Sequence, residues 1–75
     1  MPNICPGSLV ELNDGQHDCV YGRTLDGDFS VFFARGTLAL VIEPSRGVNL
    51  MFPKWKVLIR EQLVWVYDVD VRMVG

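Results

Sequence analysis

One stretch, Leu50–Val74, constrains the fold more than any other part of the chain. Within it two apolar, β-prone runs, Trp55–Ile59 and Leu63–Tyr67, flank the polar triplet Arg60-Glu61-Gln62. That spacing is the signature of a tight antiparallel hairpin. Residues Lys54–Arg60 alternate, with Trp55, Val57 and Ile59 pointing inward and Lys56 and Arg60 pointing out. Leu58 joins the outer set, since successive side chains of a strand face opposite ways. In Leu63–Tyr67 both phases are apolar, so alternation does not choose a buried face. Asp68-Val69-Asp70 is short, acidic and set between strands, which fits a single 3₁₀ turn. Its carboxylates are expected to cap backbone N–H groups. A short β-prone tail, Val71–Val74, follows.

The rest of the chain supplies strands to close over this hairpin. Residues 1–7 form an arm in which Pro2 and Pro6 deny regular hydrogen bonding. Ser8–Leu12 reads as a first strand, with Val10 and Leu12 on one face, and Asn13-Asp14-Gly15 ends it as a turn. A long loop, 13–36, carries its own hairpin: Cys19–Leu25 and Phe29–Ala34 meet at Asp26-Gly27-Asp28. Gly22 interrupts the first of these strands and reads as a bulge. Thr37–Glu43 alternates Leu38, Leu40 and Ile42 with Thr37, Ala39 and Val41, so both faces are apolar. Such a strand is expected to be central and covered on both sides. Pro44-Ser45-Arg46-Gly47 turns the chain, and Val48–Pro53 is a loop or ragged strand because Pro53 cannot donate within a ladder.

No helical period exceeds a turn. The prediction is one all-β domain over residues 1–75, a small barrel of five to six strands with an inserted hairpin and a 3₁₀ turn before the last strand. Val10, Leu12, Leu38, Leu40, Ile42, Trp55, Val57, Ile59 and Val71 are its expected core.

Composition bounds the function. With 75 residues, 49% of them hydrophobic, the chain has material for one core and is not a disordered sequence. A net charge of −2 gives no global attraction to nucleic acid or anionic lipid. The charge is uneven: Met1–Glu43 holds six acids against two arginines, and Pro44–Gly75 five bases against three acids. No apolar run reaches the ~18 residues of a membrane span. The start, MPNICPGS, lacks the basic and apolar parts of a signal peptide, so a soluble intracellular protein with Cys5 and Cys19 as free thiols is expected.

The order GSLVEL, long loop, GTLALVIE, KWKVLI, WVYDVDVRMV resembles the small SH3-like barrel proteins of tailed bacteriophages. Gly7-Ser8-Leu9-Val10 corresponds to their opening Gly-Asp-Leu-Val. Gly36-Thr37-Leu38-Ala39-Leu40-Val41-Ile42-Glu43 corresponds to their central strand, with Ala39 where glycine is usual. Trp65-Val66-Tyr67-Asp68-Val69-Asp70-Val71 corresponds to their closing motif. The resemblance spans residues 7–74 and implies strand order, an SH3-like barrel and the 3₁₀ turn, but no activity. It implies a phage accessory protein in the host cytoplasm or the virion.

Chemical motifs are sparse. His17, Asp18 and Cys19, with Cys5 earlier, offer nitrogen, oxygen and sulfur ligands, yet lack the paired spacing of a zinc site. No third group evidently orients His17 toward Cys19 for nucleophilic catalysis. A polar loop histidine and a half-buried cysteine are expected instead. Asp26 and Asp28 flank an exposed turn, where nothing separates their pKa values for acid–base work. The expectation is no enzyme, no cofactor and no metal.

Two binding surfaces stand out. Lys54, Lys56 and Arg60 interleave with Trp55, as in single-strand nucleic-acid binders, although Trp55 shares the inward phase. The aromatic supply exceeds what one small barrel encloses. Phe32 and Phe33 are adjacent and must face opposite ways. Phe29, Phe32, Phe33, Met51, Phe52 and Leu58, with Arg35 at the rim, are the expected contacts to a partner, unless the long hairpin folds over and covers them. The expected function is therefore a non-enzymatic accessory or adaptor protein. Its partner would be another protein, a virion component, a host factor or a second copy of the chain. A nucleic-acid-binding barrel and a small-molecule-binding or sequestering protein are the alternatives.

Overall fold

The computed structural model describes residues 4–44 and 54–74. Seven strands run in order: β1 Leu9–Leu12, β2 Cys19–Thr24, β3 Ser30–Ala34, β4 Leu38–Pro44, β5 Lys54–Ile59, β6 Gln62–Tyr67 and β7 Val71–Met73. All pairings are antiparallel, in one sheet of order β3-β2-β6-β5-β4-β1-β7. The sheet is open, with β3 and β7 at its edges among the described residues. One strand more is present than the five to six expected.

A flat sheet of seven strands would be about 30 Å wide and only about 10 Å thick. The molecule measures 30 × 28 × 24 Å with a radius of gyration of 11.4 Å, so the sheet coils on itself. Its concave side holds the core: Val10, Leu12, Val20, Ala39, Val41, Val57, Ile59, Val64, Val66 and Val71, with Ile4, Phe33 and Trp55 packed against it.

The β5–β6 hairpin forms as expected, pairing Leu58 with Leu63 and Ile59 with Gln62 across the two-residue turn Arg60-Glu61. Arg60 adopts φ 58°, the left-handed conformation that two-residue hairpin turns require. Gly27 takes φ 81° at the β2–β3 turn for the same reason. The 3₁₀ turn spans Asp68–Asp70 as predicted, but no side chain caps it. Asp68 Oδ1 instead accepts a 2.8 Å hydrogen bond from Trp55 Nε1, tying the half-buried indole to the turn.

Three local expectations are corrected. Leu38, Leu40 and Ile42 point to the convex side and are exposed, while Ala39 and Val41 enter the core. The strand is central, yet covered on one side only. The reason is register: Val41 pairs with Val57 and Leu40 with Leu58, and Val57 faces the concave side. The bulge lies not at Gly22 but in β4, where the register with β5 shifts between Val41 and Glu43. Gly22 pairs regularly with Val31 and is there for close approach, since a Cβ on it would meet Val64 and Val66 at 3.1–3.2 Å. The expected loop or ragged strand Val48–Pro53 lies outside the described residues, as do Met51 and Phe52.

Candidate functional site

The convex face of the sheet carries the unusual surface. Leu9 pairs with Leu40, Leu40 with Leu58 and Leu58 with Leu63, so four leucines form one row across β1, β4, β5 and β6. Adjacent strands lie about 4.8 Å apart, so the row is continuous. Leu9, Leu40 and Leu63 are 46%, 39% and 38% exposed, and Leu58 between them is half-buried. Leu38 and Ile42 flank the row on β4, at 55% and 36% exposure. Isolated surface leucines need no explanation, whereas a contiguous apolar patch is a mark of interfaces. Of these six only Leu58 was expected at a contact. The signal for Leu38, Leu40, Ile42 and Leu63 was the double-sided apolar pattern of Thr37–Glu43 and Leu63–Tyr67, in which one face serves the core and the other remains outside, and Leu9 lies outside both stretches.

At the far end of the sheet, Phe29 and Phe32 are 67% and 69% exposed, so the long hairpin does not cover them. Phe32 packs its ring against Tyr21 at 5.9 Å in a tilted pair. Phe33 faces the other way, half-buried against the core, and takes no part in this outer surface. Arg35 N donates to Asp18 O and Thr24 N to Phe29 O, which sets the ladder phase of β3. By alternation the N–H and C=O groups of Ser30 and Phe32 point away from β2, along the sheet edge, while the Ala34 carbonyl accepts from Thr37 N and Oγ1. Edge strands without charge are sites for strand addition, and β3 contains none. Arg35 sits just beyond, 3.6 Å from the Asp18 carboxylate.

The predicted basic stripe is dispersed. Lys56 Nζ lies 2.7 Å from Glu43 and 5.4 Å over the Trp65 ring, so its charge is held within the molecule. Arg60 stands at the exposed hairpin turn, and Trp55 faces the core. Lys54 remains on the convex side, 5.3 Å over the Tyr67 ring, and borders a groove between β2 and β6. Only Arg23 and Thr24 of β2 pair with β6, at Trp65 and Val64. Tyr21, Arg23 and Thr24 of β2 and Trp65, Val66 and Tyr67 of β6 line this groove.

The polar loop is locally ordered, and Asp14 is the group that orients His17, which the sequence did not reveal. Asp14 accepts from the backbone N–H groups of Gln16 and His17, and its Oδ2 lies 2.6 Å from His17 Nδ1. These bonds hold its carboxyl far below the ordinary carboxylate range, with the backbone donors contributing most. Cys19 is exposed rather than half-buried, and both cysteines are free. No group of three or more His, Cys, Asp or Glu is placed to hold a metal among the described residues.

Asp70 is half-buried near Asp14, and desolvation, followed by the Asp14 charge, raises its pKa above the ordinary 3.8. The folded state thus favours the protonated form. The stability this contributes is complete below pH 3.8 and is lost as pH rises through the higher folded pKa. Asp70→Asn is therefore expected to raise the melting temperature at pH 7, with the advantage fading toward pH 3. Thermal melts of both chains across that range check it, and an advantage that grows on acidification contradicts it.

The chain matches no protein-family model, and no curated protein sequence or solved structure is significantly similar to it.

Proposed function

We propose that this chain is a non-enzymatic binding protein, a small accessory or adaptor of the kind found in tailed phages, and that it docks on another protein through the convex face of its sheet. The observation that carries the reading is the leucine row Leu9–Leu40–Leu58–Leu63. The resemblance of the opening, central and closing strands to phage SH3-like barrels supports the fold family and the viral setting. The coiled sheet and the 3₁₀ turn before β7 are compatible with that barrel type. Phe29 and Phe32 extend the apolar surface at the β3 end.

The energetics require the row to act together. Covering the remaining surface of one half-exposed leucine contributes about 1 kcal/mol. Docking costs at least ~4 kcal/mol in lost translational and rotational freedom. One leucine cannot hold a partner, but six aliphatic side chains with a polar rim can. A carboxylate placed in the middle of the row would be desolvated without a partner on docking.

The expected result is that Leu40→Asp or Leu58→Lys weakens binding of the partner isolated from phage-infected cells by about a hundredfold or more. Lys56→Ala changes it by a fewfold at most, and added salt has little effect. Titration calorimetry of the three variants at low and high salt measures this. If salt and Lys56→Ala abolish binding while the leucine variants bind normally, electrostatics drives the association and the docking face is misassigned. Sedimentation of the protein alone distinguishes a second copy from a different partner.

A further inference from the structure

The groove between β2 and β6 is chemically distinct from the leucine row beside it. It encloses about 270 Å³, slightly below the ~300–1,000 Å³ of sites for drug-sized ligands, so it suits one ring-and-charge unit. Three aromatic side chains, Tyr21, Trp65 and Tyr67, line it together with two cations, Arg23 and Lys54, and no carboxylate. Arg23 Nη1 donates to Gly27 O at 3.0 Å, which orients the guanidinium and leaves its other N–H groups for a ligand. Lys54 is steadied over the Tyr67 ring at 5.3 Å. Two other acids are already engaged. Asp26 accepts from Thr24 Oγ1 and Asp28 N, and Glu43 pairs with Lys56.

We propose that this groove binds a nucleotide unit, its base stacked on the aromatic wall and its phosphate between Arg23 and Lys54. Stacking surface and paired cations together are the recognition chemistry of single-stranded nucleic acid. An acidic peptide would engage the cations alone and make no use of the aromatic lining, so the nucleotide is favoured. None of the site's lining residues belongs to the leucine row. It also differs from the basic stripe expected from sequence: Arg23 comes from the other half of the chain, and Lys56 is neutralised by Glu43. With an overall charge of −2 there is little long-range attraction, so the affinity expected is modest, on the order of 100 μM at low salt.

The chain has two tryptophans, so Trp55→Phe leaves Trp65 in the groove as the sole indole reporter. Its fluorescence would be titrated with thymidine 5′-monophosphate, a twelve-residue oligothymidylate and polyglutamate. Wild-type protein followed by amide NMR shifts provides the same reading should Trp55→Phe not fold. Saturable quenching by the nucleotides is expected. Two phosphate contacts predict about sevenfold weaker oligonucleotide binding between 50 and 200 mM salt. Arg23→Gln and Lys54→Gln should each weaken binding on the order of tenfold, and Trp65→Ala similarly through lost stacking. Arg60→Gln, which removes the same charge elsewhere, should leave binding within about twofold. Equal affinity for the mononucleotide and the oligomer identifies a free nucleotide as the ligand, and a tenfold tighter oligomer identifies a strand. No saturable binding, indifference to Arg23→Gln and Lys54→Gln, or equally tight polyglutamate binding overturns the assignment.

Discussion

Val57→Asp and Val41→Asp should both prevent folding, whereas Leu40→Asp should not. Val57 and Val41 are 0% and 1% exposed and pair with each other across β4 and β5, at the centre of the concave face. No charged or polar side chain is fully buried among the described residues, so an aspartate there would find no partner. Burying an unpaired carboxylate costs several kcal/mol, even after its pKa rises to keep it neutral. A chain of 75 residues has only about 4–11 kcal/mol of stability to lose. Leu40 is the next residue along the same strand but faces water, and its replacement by aspartate leaves the concave side intact. Far-UV circular dichroism and urea titration of the three chains measure the outcome. A folded Val57→Asp protein would show that the strand phase is wrong. An unfolded Leu40→Asp protein would place the leucine row in the core, and the docking proposal would go with it.

Gly22→Val should be strongly destabilising although it introduces no charge. A Cβ at this position would lie 3.1 Å from Val64 Cγ2, 3.2 Å from Val64 Cβ and 3.2 Å from Val66 Cγ1. Both neighbours are buried and β-branched, with little χ1 freedom to move aside. Overpacking costs about 1–3 kcal/mol, and the two further methyl carbons of valine push the cost to the upper end. For a domain of this size about 3 kcal/mol lowers the melting temperature by roughly 10–20 °C. Gly27→Ala makes the useful contrast. It has nothing within 4 Å of the new Cβ, and pays only the left-handed φ of 81°, about 1 kcal/mol. Calorimetric melts should rank the two variants in that order. A Gly22→Val protein as stable as the parent would mean that β2 does not cross β6 this closely.

Much of the local structure is legible in the residues. The β5–β6 hairpin, the Asp26-Gly27-Asp28 turn, the 3₁₀ turn after Tyr67 and the inward phase of Trp55, Val57 and Ile59 are all found where the pattern puts them. Each rests on a local cause: alternation, a turn residue that tolerates positive φ, or a polar break between β-prone runs. The candidate sites were far less legible. Leu38, Leu40 and Ile42 look like core residues in one dimension, because an interface strip and a core strip have the same composition. Arg23 gave no sequence sign of joining Lys54 and Trp65, since nothing local connects positions so far apart. Only the pairing of Arg23 with Trp65 brings them to one groove.

The sequence by itself determined that this chain is all-β, where the β2–β3 and β5–β6 turns fall, and which face of the β5 strand is buried. These follow from backbone sterics and from a period of two, which act over a few residues. The tertiary structure alone decided which apolar face of β4 enters the core. That choice belongs to the Leu40–Leu58 and Val41–Val57 register, and to the bulge that shifts it before Glu43. A strand apolar on both sides can satisfy the core with either face. The smaller set, Ala39 and Val41, fits the tight interior of a coiled sheet, and the larger Leu38, Leu40 and Ile42 are left outside.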